Sequence, residues 1–267
     1  MISYRYDDYV KDLIFGIYED ENLMKRTGTG FGFYIDSDVF VMLSLGFSEK
    51  YDATVEEKRN LHRVGQAIAA CCIHNAPDYD PVIPFNNQIS ILLFADSEQA
   101  MKALLPTVEK TAVDSTERYF SGKPVRIGEG NLARGLAGIK ESYNQSVRAI
   151  RAGAIFKQNH KLLRFNNMEI YSILDEIMRV HGPHLSKTVL SRLSQREIDV
   201  LCMYYECKED VPKTADSLGI TEKEVTDAFV RVTQSIGLDV YDSEDNFKLH
   251  LVMLTVKVQR YMTERGN

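Results

Sequence analysis

Tryptophan is absent from the 267 residues, proline occurs seven times and cysteine four times. No apolar run reaches the roughly 18–20 residues that span a bilayer, which excludes a membrane-spanning helix. The opening stretch carries Asp7, Asp8 and Asp12 and has no apolar core of the kind a secretion signal needs. Cys71 and Cys72 are adjacent, and Cys202 and Cys207 stand five apart. Neither spacing makes a zinc knuckle or a CxxC pair, so the four read as reduced thiols of a cytoplasmic protein. Positive charge is also short. Lys and Arg number 32 against 38 Asp and Glu, a net charge of −6, whereas binding DNA through bulk electrostatics calls for a basic surface. From Ser186 onward the balance is 11 against 14, a net −3. Nucleic-acid contact would have to come from a local positive strip, expected in two copies.

Against these absences, one stretch is dense in signals. Ser194 with Glu197 three residues on has capping-box spacing, and Ile198, Leu201 and Met203 follow. Val211–Leu218 is long enough for two helical turns, and Gly219 stands where a helix end needs a left-handed residue. Thr221 and Glu224 repeat the capping box, and Val225, Phe229, Val232 and Ile236 form one buried stripe. Helix, short helix, tight turn and helix is the layout of a helix-turn-helix. The chain leading to it predicts a helix over 4–23, extended segments at 31–35 and 39–45, a helix over 54–75, a strand at 89–94 and a helix over 97–120 that Pro106 bends or splits. A strand at 124–127, a helix over 133–153, an extended stretch at 162–165 and a helix over 167–181 complete it. The order suggests α+β, with helices covering a mainly antiparallel sheet. His181-Gly182-Pro183-His184 reads as a helix stop and hinge. Asp245–Met262 forms a last helix with two apolar stripes, Phe247/Leu251/Leu254/Val258/Tyr261 and Leu249/Val252/Val256.

Three clusters invite chemistry. The run Thr27-Gly28-Thr29-Gly30-Phe31-Gly32 is glycine-rich but lacks the Lys-Ser/Thr of a phosphate loop. Asp36 and Asp38 have the look of a magnesium pair, and a hairpin turn accounts for them equally well. His181 and His184 have no Cys or acidic partner near them. No catalytic residue, metal or cofactor is assigned. Lys140, Arg148 and Arg151 lie off the stripe of their helix and read as a solvated face.

Four stretches, in order, resemble the PucR/CdaR-type bacterial transcriptional regulators. Ala215, Leu218, Ile220, Val225, Val232 and Gly237-Leu238-Asp239, with the acidic loop before Phe247 and Leu249, resemble their C-terminal helix-turn-helix. Gly128, Gly135 or Gly138, Ser142-Tyr143 and Ala149 resemble the end of their degenerate GGDEF-like domain. The stretch from Tyr9 to Glu21 looks like the helix that opens that domain, and Asn167–Met178 looks like the family's connector. The segment around Leu193–Val225 is also similar to LuxR-type and sigma-factor helix-turn-helices. AraC-type regulators would need a second such motif, for which no room remains after Met262.

The resemblance implies a nucleotide-cyclase-like, GGDEF-like sandwich followed by an all-α helix-turn-helix domain. The segments implied are an N-terminal helix and loop at 1–30, a degenerate GGDEF-like domain at 31–165, a connector and hinge at 166–185 and a DNA-binding domain at 186–267. No GGDEF or GGEEF sequence exists here; Asn86-Asn87-Gln88 stands at the hairpin position. The implied protein is a homodimer that binds double-stranded operator DNA, spans no membrane and leaves room for a small-molecule effector. The helix from Thr221 would enter the major groove, with Thr221, Glu222, Lys223 and Thr226 near the bases and Lys213, Thr214 and Arg231 near phosphates. Arg196 is a further phosphate candidate. Where the family carries His-x-Asn-Thr and Tyr-Arg, this chain has Thr221, Lys223, Glu224, Asp227 and Ala228. Two other readings stay open: an interaction module that does not bind DNA, and a cyclase-type enzyme in which Asp36 and Asp38 converge with a third carboxylate.

Overall fold

The computed structural model describes residues 5–18, 20–33, 37–47, 51–71, 80–85, 87–157 and 159–264, with the side chains of residues 183–186 and 188 left aside. The fold is α+β followed by a helical region. Its contacts divide into two compact units, Met1–Ser172 and Ile173–Asn267.

The first unit is built on β1, Val39–Gly46, which is buried along its whole length. Its alternation sends side chains to two cores. Val39, Val41, Leu43 and Leu45 face one core with α3 (Val55–Ala70) and α4 (Glu98–Phe120). Phe40 and Met42 face a second with α1 (Tyr6–Phe15) and α5 (Ile139–Phe156). A strand buried on both faces loses water on both, so nearly every residue of β1 is apolar. The sheet order is β2 (Val82–Phe85), β3 (Gln88–Ala95), β1, β4 (Arg126–Glu129), β6 (Leu162–Arg164), with β5 (Ala133–Arg134) pairing the start of β1. All pairings are antiparallel except β4 with β6.

Helix α5 lies against the sheet with almost no gap, and glycine makes this possible. A Cβ at Gly128 would sit 2.0 Å from the Ser146 carbonyl oxygen, and one at Gly130 would sit 2.0 Å from that of Ser142. The facing side chains on α5 are small: Ser142, Ser146, Ala149 and Gly153. Their hydroxyls satisfy the strands. Ser142 Oγ accepts from the Met42 amide and donates to the Asn131 carbonyl. Ser44 Oγ lies 2.9 Å from Ser90 Oγ and 2.7 Å from Ser146 Oγ, a buried hydroxyl row joining two strands and the helix.

Several elements differ from expectation. The helix expected over 4–23 breaks at Gly16, which is left-handed at φ 67°, and α2 (Glu21–Gly30) starts afresh from the Asp20 cap. Gly28 and Gly30 therefore lie inside a helix; the Tyr9 hydroxyl donates to the Met24 carbonyl and crowds Gly28. Phe31 and Gly32 form a turn rather than a strand, and 34–36 fall outside the described residues. Helix α3 ends at Ala70, and 72–79 likewise lie outside. Pro106 does not split α4. Strand β2, with Pro84 on the sheet edge, had no clear sequence signal because proline is a poor strand former tolerated mainly at edges. Residues 133–138, expected as the start of a long helix, instead form β5 and a short 3-10 turn.

Helix α6, Phe165–Leu190, begins in the first unit and ends in the second. The stop predicted at His181-Gly182-Pro183-His184 is not made, and the helix runs through it. Gly182 is buried close to Thr255 of α10 (Ser243–Glu264), so contact along this face opposes the amide lost at Pro183. The apolar residues of α6 at helical spacing do not face the core. Ile170, Ile173 and Ile177 are exposed, together with Val180. The buried face of the helix carries Met168, Ser172, Asp175 and Met178 instead.

The second unit packs α7 (Gln195–Glu206), α8 (Val211–Leu218), α9 (Glu222–Ile236) and α10 around Leu201, Val225, Phe229, Val232 and Leu249. Of the two α10 stripes, Leu249, Val252 and Val256 face this core, and Phe247 is exposed. Among the described residues no helix is long and apolar enough to cross a membrane.

Candidate nucleic-acid interface

The segment from Ser194 to Ile236 is shaped by its caps. Ser194 and Glu197 close a capping box at the start of α7, and Thr221 and Glu224 close one at the start of α9. Asp210 caps α8 through the Lys213 amide, with Pro212 in the first turn. Gly219, at φ 64°, ends α8, and its amide and that of Ile220 return to Asp216 and Ala215 carbonyls. Three residues thus separate α8 from α9. Ala215 is buried where the two helices meet. Between α7 and α8 the chain turns through Lys208 and Glu209, both with positive φ (59° and 63°). For residues with a Cβ this costs roughly 1–2 kcal/mol each. The Glu209 amide donates to the Tyr204 carbonyl at 2.8 Å, and its carboxylate accepts from Asn246 at 3.2 Å, which hold the turn in place.

The predicted contact residues separate on inspection. Thr214 is fully buried and its hydroxyl donates to the Asp210 carbonyl at 2.7 Å, so the phosphate contact expected of it has no exposed group to make it. Thr221 is exposed, but its hydroxyl serves the cap with Glu224. Thr226 is half-buried and donates to the Lys223 carbonyl. Lys213 is exposed and pairs with Asp210 at 2.9 Å. Arg231 reaches back to Glu197 at 3.4 Å, tying α9 to α7, and Arg196 pairs with Glu224 at 2.8 Å. Glu222 and Lys223 are exposed, and Lys223 alone of these cations has no ion pair among the described residues.

The carboxylates hold their protons weakly. The Lys213 amide and ammonium draw Asp210 below its ordinary range, and the Thr221 cap does the same for Glu224. Both stay ionised through neutral pH. Sequence reasoning missed the solvent face of α9 as a whole. Lys223, Asp227, Val230 and Gln234 are exposed at spacings of four, three and four, opposite the buried stripe Val225, Phe229 and Val232. The signal was present as the complement of that stripe. From Asp210 to Ile236 three cations face five carboxylates.

In the first unit, β2 and β3 pair antiparallel with Phe85 opposite Gln88; Asn86, to which the sequence reading gave part of the turn, lies outside the described residues. The Asn87 side-chain amide donates to the Tyr51 carbonyl, and its own carbonyl accepts from the Phe47 amide at 3.1 Å. Residues 20–152 match the family model of the GGDEF-like domain. The match runs from the cap of α2 into α5. Between β2 and β3 the sequence of this GGDEF-like domain is Asn86-Asn87, with neither glycine nor carboxylate. Asp36 lies outside the described residues, and Asp38 belongs to no cluster of three or more potential metal ligands among those described. The glycines and serines that carried the family resemblance have a physical role here: Gly128, Ser142 and Ala149 are the contact seam of α5 on the sheet.

No curated protein matches the chain. The crystal structure of a regulator of polyketide synthase expression from Bifidobacterium adolescentis is similar over 95% of this chain and 96% of that one, at 13% identity and a TM-score of 0.40.

Proposed function

We propose that the protein is a DNA-binding transcriptional regulator of the PucR/CdaR type, acting as a cytoplasmic homodimer. In this reading α8, the turn at Gly219 and α9 form the helix-turn-helix, and the GGDEF-like domain is a non-catalytic module for dimerisation or for sensing a small-molecule effector. The observation that carries it is the three-residue connection from Leu218 to Glu222, capped at both ends, which leaves the whole outer face of α9 exposed. Such a helix fits the major groove, with its first turn toward the bases. Glu222 and Lys223 stand in that turn. A carboxylate can accept from cytosine N4, so the acidic first turn suits direct readout at a C·G pair. The sequence Asn86-Asn87-Gln88 supports the non-catalytic reading, because cyclase chemistry on this fold would draw on carboxylates that this stretch does not carry.

The second reading, an interaction module without DNA, is favoured by one observation. Lys213, Arg196 and Arg231 are each held by a carboxylate of the same unit. Selection of bound fragments from random DNA by the purified protein separates the two. A recovered consensus, with Lys223→Ala lowering affinity and reducing the slope of log K against log salt by about one, supports the regulator. Recovery of no sequence, or an unchanged slope in the variant, favours the second reading or removes Lys223 from the interface respectively.

A further inference from the structure

The outer face of α9 carries one residue that the packing of its own unit does not use. Val230 is 55% exposed, and between Ser194 and Ile236 no other large apolar side chain is exposed. A single exposed apolar residue is ordinary on a protein surface, and it is the position of this one that is informative. Lys223, Asp227 and Val230 are exposed, with Thr226 half-buried beside them. Counted from Lys223 these are positions i, i+3, i+4 and i+7, the set that a helix laid along the major groove turns toward successive base edges. Valine is also a weak helix former, and here no core contact calls for it. From Lys223 to Val230 the helix advances about 10 Å at 1.5 Å per residue, which is about three base pairs. Both side chains therefore reach bases of one half-site.

We propose that Val230 sets sequence specificity by packing against the C5-methyl group of a thymine in the major groove. This rests on the DNA-binding reading above and deepens it by naming the base. The thymine methyl is the apolar mark among the donors and acceptors that major-groove edges present. Valine has neither a donor nor an acceptor to offer. Against adenine N7, guanine O6 or cytosine N4 it would strip water from a polar group and return no hydrogen bond. Against the methyl it removes apolar surface from water on both sides of the contact. The neighbouring residue on the face also suits a base edge rather than the backbone. Asp227, one turn before Val230, is exposed; phosphate repels a carboxylate, whereas the amino group of cytosine donates to one.

The test uses the full chain and the consensus that selection from random DNA returns. Each thymine of that consensus is replaced in turn by deoxyuridine, which deletes the methyl group and keeps the hydrogen bonds of the base pair. Affinity for each duplex is read by fluorescence anisotropy at one fixed salt concentration. For the wild type, one replacement within a half-site is expected to weaken binding about fourfold, the weight of one buried methyl group. In Val230→Ala the same replacement is expected to cost nothing, and in Val230→Ile the cost returns. Both variants should melt with the wild type or above it in the case of alanine, the better helix former at an exposed site. A wild type indifferent to every deoxyuridine overturns the proposal without recourse to any variant. A methyl dependence that persists undiminished in Val230→Ala overturns it too. Both of these outcomes leave the DNA-binding reading standing. Selection that returns no consensus overturns that reading, and the role of Val230 with it.

Discussion

Replacing Glu129 by glutamine should stabilise the protein, and more so as pH rises. Glu129 ends β4 with 8% exposure, and its Oε2 is buried without a hydrogen-bond partner. Beside it stands Glu109 of α4, which Arg164 of β6 holds through both carboxylate oxygens. Burial first, and then the Glu109 carboxylate, push the Glu129 carboxyl up to about 8. At pH 7 it is therefore protonated and can donate to Glu109, whose own pKa the Arg164 guanidinium holds down. In the unfolded chain Glu129 ionises near 4.5. Between these two values the folded state binds more protons than the unfolded one, so stability falls as pH rises, and above about 8 it levels off. At about 1.4 kcal/mol per pH unit the wild type loses at most about 5 kcal/mol across that window, less what the Glu109–Arg164 pair returns. Glu129→Gln keeps the shape and a donor and removes the titration. At pH 5 the two proteins should melt together. At pH 9 the variant should be higher by some 5–10 °C, taking half the ceiling and about 2–4 °C per kcal/mol for a unit of this size. Thermal melts by circular dichroism at pH 5, 7 and 9 suffice, because there is no tryptophan to follow. An equal offset at all three pH values, or a variant that melts lower at pH 9, would refute the reasoning.

Gly128→Ala should cost about 3 kcal/mol or more, because the new Cβ meets the Ser146 backbone oxygen and α5 must lift from the sheet; loss of soluble expression or of the melt is the readout. Glu57 is held down at about 2, by Lys123 first and then by the Thr54 amide and the Tyr51 hydroxyl. Its contribution is complete above about 4.5 and is lost as pH falls toward 2, so Glu57→Gln should be destabilised at pH 7 and lose its deficit relative to wild type in acid unfolding. In the helical unit, Gly219→Ala should destabilise by about 1 kcal/mol, since φ is 64° and no neighbouring atom crowds the new methyl, so backbone strain alone acts. Lys208→Gly should do the opposite by a similar amount, and urea melts of the pair would show the two signs.

The parts that the sequence made legible are those that local chemistry decides. The capping boxes at Ser194 and Thr221 are properties of four residues, and α7 and α9 start where those boxes place them. Strand β1 could be read because burial on both faces leaves little room for polar residues. The misreadings arise where a distant partner decides. Ala133 and Arg134 have helical neighbours on one side, yet they pair with Val39 and Phe40 almost a hundred residues earlier. The glycines at 28 and 30 looked like a loop, and they lie in a helix that crosses the Tyr9 ring. On α6, Ile170, Ile173 and Ile177 recur at helical spacing and yet are exposed. Periodicity tells which residues lie together and cannot tell whether they meet the same chain. At the candidate interface, exposure separated Thr214 from Lys223, a distinction that spacing alone does not hold.

The place of β1 in the sheet carries a consequence for synthesis. Of the described strands it is the earliest in the sequence, and it takes the middle position, between β3 and β4. Its eight buried residues have no partner until β3 is made, and the sheet is not closed until β6 at Leu162–Arg164. At 5–20 residues per second that is on the order of ten seconds during which a nascent chain displays a strongly apolar strand with both edges open. The Ser44 hydroxyl, the one polar side chain within it, is then its only interruption. A factor that holds the nascent chain, or slow codons placed between β1 and β6, would act on this interval rather than on the finished fold.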